Sequence, residues 1–208
     1  MNFRLWMESK FLRLPTETKQ AIDALVTNIL QGKKTSGIMG SIVISGRKIP
    51  VISKNLPSDI IAQYASPPEI IFINDEIFIN GTSRNALKDA ISHEAIHPLD
   101  PKMNLPHKTT IPGSPEYYNS RIEFDAYGSQ IEMALKRKFY NKQTPIQSRL
   151  KELNDLKNSL RTGKGRDTDK PPFSIWKTNP YLWKKFRQKL FTTITDIEQD
   201  LNNEQNNG

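Results

Sequence analysis

The chain has 208 residues, no cysteine, and 30 Lys plus Arg against 22 Asp plus Glu, for a net charge of +8. The missing cysteines exclude a disulfide framework and any cysteine-ligated metal site, and no apolar stretch approaches the ~20 residues that a membrane helix needs. The length supports a real core in one domain, or a small domain with an appendage.

The first fifteen residues (MNFRLWMESKFLRLP) are interrupted by Arg4, Glu8 and Lys10 and lack the continuous apolar region of a signal peptide. A soluble, cytoplasmic-type protein is therefore expected. Usage rich in Ile, Lys and Asn suggests an AT-rich genome, with a virus as one such source.

Residues 15–31 carry a helical apolar period, with Pro15 at the start and Gly32 just past the end. Residues 41–45 and 48–53 flank Ser45-Gly46-Arg47 and predict a hairpin. Residues 69–73 and 76–80 (EIIFI, then EIFIN) predict two more strands around Asn74-Asp75. One strand is expected beside the active cleft, where either an extended substrate pairs with its free edge or that edge is covered.

The next segment carries the chemistry. His93-Glu94-Ala95-Ile96-His97 reads H-E-x-x-H and uses two of the three histidines in the chain. Two histidines four apart on a helix project from one face and can share one Zn²⁺. The Glu beside the first faces the open position of the metal, where it can take a proton from water. On a wheel of residues 84–97, Arg84, Asn85, Lys88, Asp89 and Ser92 share one side. His93, Glu94 and His97 fall on the other, with Ala86, Leu87, Ala90 and Ile91. Buried polar groups need partners, and a metal serves all three. Thr82 or Ser83 can cap the helix start, and Pro98 ends it just after His97.

The third ligand sets the subclass. Met103 stands where a metzincin has its third His, and Asp100 stands where it has Gly. His107, Glu116, Glu123 and Asp125 remain. Residues 120–138 have helical periodicity, with Ile122, Ala126, Tyr127, Ile131, Ala134 and Leu135 forming an apolar face. Glu123 sits near the centre of that face, whereas Asp125 lies opposite with Ser129, Glu132 and Lys136. A carboxylate amid apolar residues is costly unless paired or metal-bound. Glu123 is therefore chosen, with an ion pair to a buried Arg or Lys as the competing explanation.

H-E-x-x-H with a ligand Glu on a following helix resembles the gluzincin arrangement. Glu123-Phe124-Asp125-Ala126 resembles the E-F-x-A segment that carries the third zinc ligand in CaaX-type membrane zinc endopeptidases. It is also similar to the Glu-containing helix of lethal-factor-type toxin proteases. Tyr127 departs from the membrane family, which has an acidic residue there. The resemblance implies a zincin-like α+β fold: a small mixed or antiparallel sheet, an active-site helix and a second metal-ligand helix, joined here by a helical C-terminal part. It implies one Zn²⁺ per chain on His93, His97 and Glu123, Glu94 as general base, and a peptide or protein substrate. Toxin-type gluzincins have an oxyanion-stabilising Tyr shortly before the ligand Glu, a place that Tyr118 or equally Tyr117 can take here, with a packing or surface tyrosine as the competing explanation; His107 can be a transition-state donor, a ligand or a loop residue. Asp100 can support a ligand His or simply form a turn.

Beyond this, residues 145–161 predict a helix, 162–172 a polar connection, and 180–201 a long basic, aromatic helix. The expected organisation is a catalytic core over 1–140, a helical basic extension over 141–202 and a disordered tail over 203–208. Residues 136–189 carry 16 Lys plus Arg against 4 Asp plus Glu. With Trp176, Tyr181, Trp183 and Phe186, this block can meet nucleic acid or another anionic partner. A non-catalytic, nucleic-acid-associated component of a virion-like assembly is therefore the alternative reading. A plain solvated face with inward aromatics accounts for the same residues.

Overall fold

The computed structural model describes residues 13–32, 37–99, 114–163 and 172–206. They form an α+β protein of two compact units, one within Leu12–Thr109 and one within Thr110–Gly208. Among the described residues no helix is long and apolar enough to cross a membrane.

The N-terminal unit begins with α1 (Thr16–Leu30), which buries Thr18, Ile22, Leu25, Val26 and Ile29 on one stripe. It is followed by the hairpin of β1 (Ile38–Ile44) and β2 (Arg47–Lys54). Ser45 and Gly46 both have positive φ, 49° and 77°, which a tight two-residue hairpin turn requires. Two more strands, β3 (Ala62–Ala65) and β4 (Ile70–Asn74), complete a mixed sheet of order β1-β2-β4-β3. β2 runs parallel to β4 with Val51 opposite Ile71, and β3 runs antiparallel to β4 with Tyr64 opposite Ile71. β1 and β3 are the sheet edges.

α1 packs on β1, and a Cβ at Gly40 would come within 2.9 Å of Leu25 Cδ1. Thr18 also donates to the Val43 carbonyl at 2.8 Å. The covered face holds Ile42, Ile44, Ile49, Val51, Ile71 and Ile73, all fully buried. Full burial of each side chain stabilises by about 1.5–3 kcal/mol before entropy is counted.

The second expected hairpin does not form. Residues 77–80 are a short helix, α2 (Ile77–Asn80), and the antiparallel partner of β4 is β3. Asn74 explains the difference. Its buried amide donates to the carbonyls of Leu56, Pro57 and Ile60, and its Oδ1 accepts from Glu76 N–H. That side chain steers the backbone into a helical turn, in which Phe78 N–H reaches Asp75 O at 3.1 Å. Ile77 and Phe78 are half-buried there, and Ile79 stays 84% exposed.

Next comes α3 (Arg84–Glu94), capped by Ser83, whose Oγ accepts from Ala86 N–H at 3.1 Å. Leu87 and Ile91 are buried, and Lys88 pairs with Asp23 of α1 at 2.7 Å. The α-helix ends at Glu94, earlier than expected, and His97–Leu99 forms a 3₁₀ turn. The residue before a proline is disfavoured in α conformation, and His97 precedes Pro98.

The C-terminal unit is helical: α4 (Pro115–Asn119), α5 (Arg121–Phe139), α6 (Ile146–Thr162), α7 (Phe173–Thr178) and α8 (Pro180–Asn206). Phe124 and Phe139 of α5 share a core with Leu153, Leu160, Trp176, Phe186 and Leu190. The two units meet in sequence at Thr109–Thr110, and α5 packs with the helices that follow it.

α5 also departs from its expected wheel. Asp125, Ser129 and Glu132 are buried rather than solvent-facing. The counter-charge of Asp125 comes from α8, that of Glu132 from α5 itself. Lys189 of α8 donates to Asp125 Oδ1 at 3.0 Å, and Lys185 lies 4.9 Å over the Phe124 ring. Glu132 pairs with Lys136 at 2.9 Å.

α8 runs on to Asn206, so residues 203–206 are helical rather than disordered. Arg149 fixes this end, donating to both Glu204 oxygens (3.2 and 2.9 Å) and to the Phe139 carbonyl at 3.0 Å. The hydrogen bond from Arg149 holds the Glu204 carboxyl below its ordinary value of 4.5. A folded pKa below the unfolded one stabilises above the unfolded value, and this contribution is lost as pH falls through the folded value. Urea midpoints of the wild type and Glu204→Gln are therefore expected to separate above about pH 4.5 and to converge in stronger acid.

Much of the basic block is engaged internally. Lys138 pairs with Glu152, Lys157 with Glu198, and Arg187 donates to the carbonyls of Leu160 and Arg161. Trp176 and Phe186 are core residues with no exposed surface.

Candidate metal centre

His93 and His97 are both 6% exposed. One donor atom from each of His93, Glu94 and His97 can be chosen so that all lie within 4.8 Å of one another. The imidazole rings meet edge to face, with centroids 5.3 Å apart. His97 Nε2 lies 3.4 Å from Glu94 Oε2, so the two side chains converge on one point.

The geometry is not that of two histidines on one continuous helix. His93 sits in the last turn of α3, whereas His97 opens the 3₁₀ turn. Ala95 N–H bonds back to Ile91 O at 2.9 Å and Ile96 N–H to His93 O at 3.1 Å. The first is the last α-type bond and the second an i→i−3 bond that tightens the chain ahead of His97.

α3 packs on the sheet edge at β3, and that edge supplies the next contacts. Tyr64 N–H donates to Glu94 Oε2 at 2.8 Å, which fixes the carboxylate. The Tyr64 ring stacks on His97 with centroids 5.9 Å apart and planes 17° from parallel. Its hydroxyl donates to Glu69 Oε1 at 2.9 Å. Burial, then the bond to Glu69, pushes that hydroxyl up to about 12, so it remains a donor near neutrality. Glu69 also pairs with Arg47, whose other guanidinium nitrogen donates to the Pro98 carbonyl. Arg47, Tyr64 and Glu69 escape a sequence reading because they come from a hairpin end, an edge strand and a β-turn, with no shared motif.

Two imidazoles and a carboxylate brought this close together could hold a metal ion.

Glu123 and Tyr118 belong to the C-terminal unit. Glu123 is buried at the third position of α5, and its N–H donates to Ser120 Oγ at 3.3 Å. Ser120-x-x-Glu123 matches the capping-box pattern, a local reason for a Glu at that position. The Tyr118 carbonyl accepts from Trp176 Nε1 at 2.8 Å, and its ring contacts Tyr117 and Tyr127. Asp125 has its partner in Lys189. Asp100 and His107 lie outside the described residues, as does the Glu116 side chain.

No protein-family model, curated protein or solved structure matches this chain.

Proposed function

We propose that this protein is a zinc-dependent metallopeptidase of gluzincin type. The supporting observation is the convergence of His93, Glu94 and His97 in a buried group, with Glu94 oriented by the backbone of an edge strand. His93 and His97 would hold the ion, with Glu123, nominated from the sequence, as third ligand.

Bound zinc would supply Lewis acidity and lower the pKa of a water toward about 7. Glu94 then takes the proton from the attacking water and passes it to the leaving amine nitrogen. Its Oε2 is already held by Tyr64 N–H, so the carboxylate needs little reorganisation before transfer. β3 is the strand beside this site, since its Tyr64 contacts both Glu94 and His97. Tyr118 is carried as the oxyanion donor on the family resemblance alone.

The reading is tested with a fluorogenic peptide library incubated with the full chain. Cleavage abolished by a zinc chelator and restored by added zinc is expected. Cleavage indifferent to chelation would contradict a metal-dependent mechanism.

A further inference from the structure

We infer that Arg47, Glu69 and Tyr64 are positioning residues that preset His97 for metal binding. The inference rests on the proposed metal centre. In a continuous α-helix, backbone hydrogen bonds fix two residues four apart. Here the α-helix stops at Glu94, and Pro98 has no N–H to continue it. The placement of His97 therefore needs support from outside the helix.

The three residues provide it from two directions. The Tyr64 ring lies against the His97 imidazole, and Glu69 anchors the Tyr64 hydroxyl. Arg47 holds the Pro98 carbonyl, one residue past His97, and is itself paired with Glu69. Glu69 thus joins an arm on the ring to an arm on the backbone. Groups that orient metal ligands in this way typically affect affinity by about 10–100-fold when removed.

A general role in stability is a poor explanation for the brace. The Arg47 and Glu69 side chains are 42% and 28% exposed, and ion pairs so accessible contribute little to folding. Removing them should loosen the metal site and leave the fold standing.

The test uses the full chain with zinc or cobalt alone. Zinc affinity is read by chelator competition, ligand geometry by the visible bands of bound Co²⁺, and folding by the thermal midpoint of the metal-free protein. Arg47→Met, Glu69→Gln and Tyr64→Leu are each expected to weaken zinc about 10–100-fold. Tyr64→Leu should also shift the cobalt bands, and Tyr64→Phe, which keeps the ring but loses its anchor on Glu69, should fall between Tyr64→Leu and the wild type. Midpoints should stay near the wild-type value. Glu69→Gln, nearly isosteric, keeps the test decisive if Tyr64→Leu does not fold. Wild-type affinity and cobalt spectra in folded variants would overturn the positioning role alone. A wild type that binds neither metal would overturn the metal centre and this inference with it.

Discussion

Glu94→Gln is expected to lower peptide turnover by about 10²- to 10⁴-fold while the zinc content stays at the wild-type level. The amide has the shape of the carboxylate and can still accept from Tyr64 N–H through its oxygen. The basicity that takes up a proton is what it lacks. His93 and His97 are unchanged, so metal binding should persist. The paired measurement is kcat on a cleaved peptide beside elemental analysis of the same preparation. Turnover within tenfold of wild type would remove Glu94 as the general base. Loss of zinc in the variant would make Glu94 a metal ligand instead.

The second large effect lies in the C-terminal unit. Lys189→Met is expected to destabilise that unit by about 3–5 kcal/mol, because it leaves the buried Asp125 carboxylate without its cation. Both side chains are almost wholly inaccessible, at 4% and 5% exposure, so water cannot replace the lost partner. The double variant Asp125→Leu with Lys189→Met removes both charges and should recover most of the loss. Urea unfolding followed by tryptophan fluorescence reports on this unit through Trp176 and Trp183. A single variant as stable as wild type would mean that the pair is better solvated than its burial implies.

The contrast between these two sites shows what the sequence made legible. The three residues that could hold a metal, His93, Glu94 and His97, lie within five consecutive positions, so their proximity is readable from spacing alone. α1, the β1–β2 hairpin and the start of α3 were equally local, set by apolar period, turn residues and the Ser83 cap. The mixed character of the sheet follows from β2 pairing parallel with β4. β3 escaped notice because Ala-Gln-Tyr-Ala has no β-branched residue and only four positions.

The strand expected at 76–80 failed for the opposite reason. Its alternation imitates a strand, but the Asn74 side chain determines the turn. The polar side of α5 read as solvent-facing because its partner, Lys189, lies 64 positions away from Asp125. The same holds for the end of α8, where polar residues stay helical with Glu204 held by Arg149. Long-range charge pairing rather than local propensity separates expectation from structure in both places. Arg47, Glu69 and Tyr64 follow that rule around His97.

Metal content tests the central claim most directly. Untagged wild-type protein, His97→Ala and Glu123→Ala would be compared by elemental mass spectrometry after dialysis against limiting zinc. About one zinc per wild-type chain, lost in both variants, is the predicted result for a site of two histidines and one glutamate. Wild-type protein that holds no metal after zinc is supplied would contradict the account.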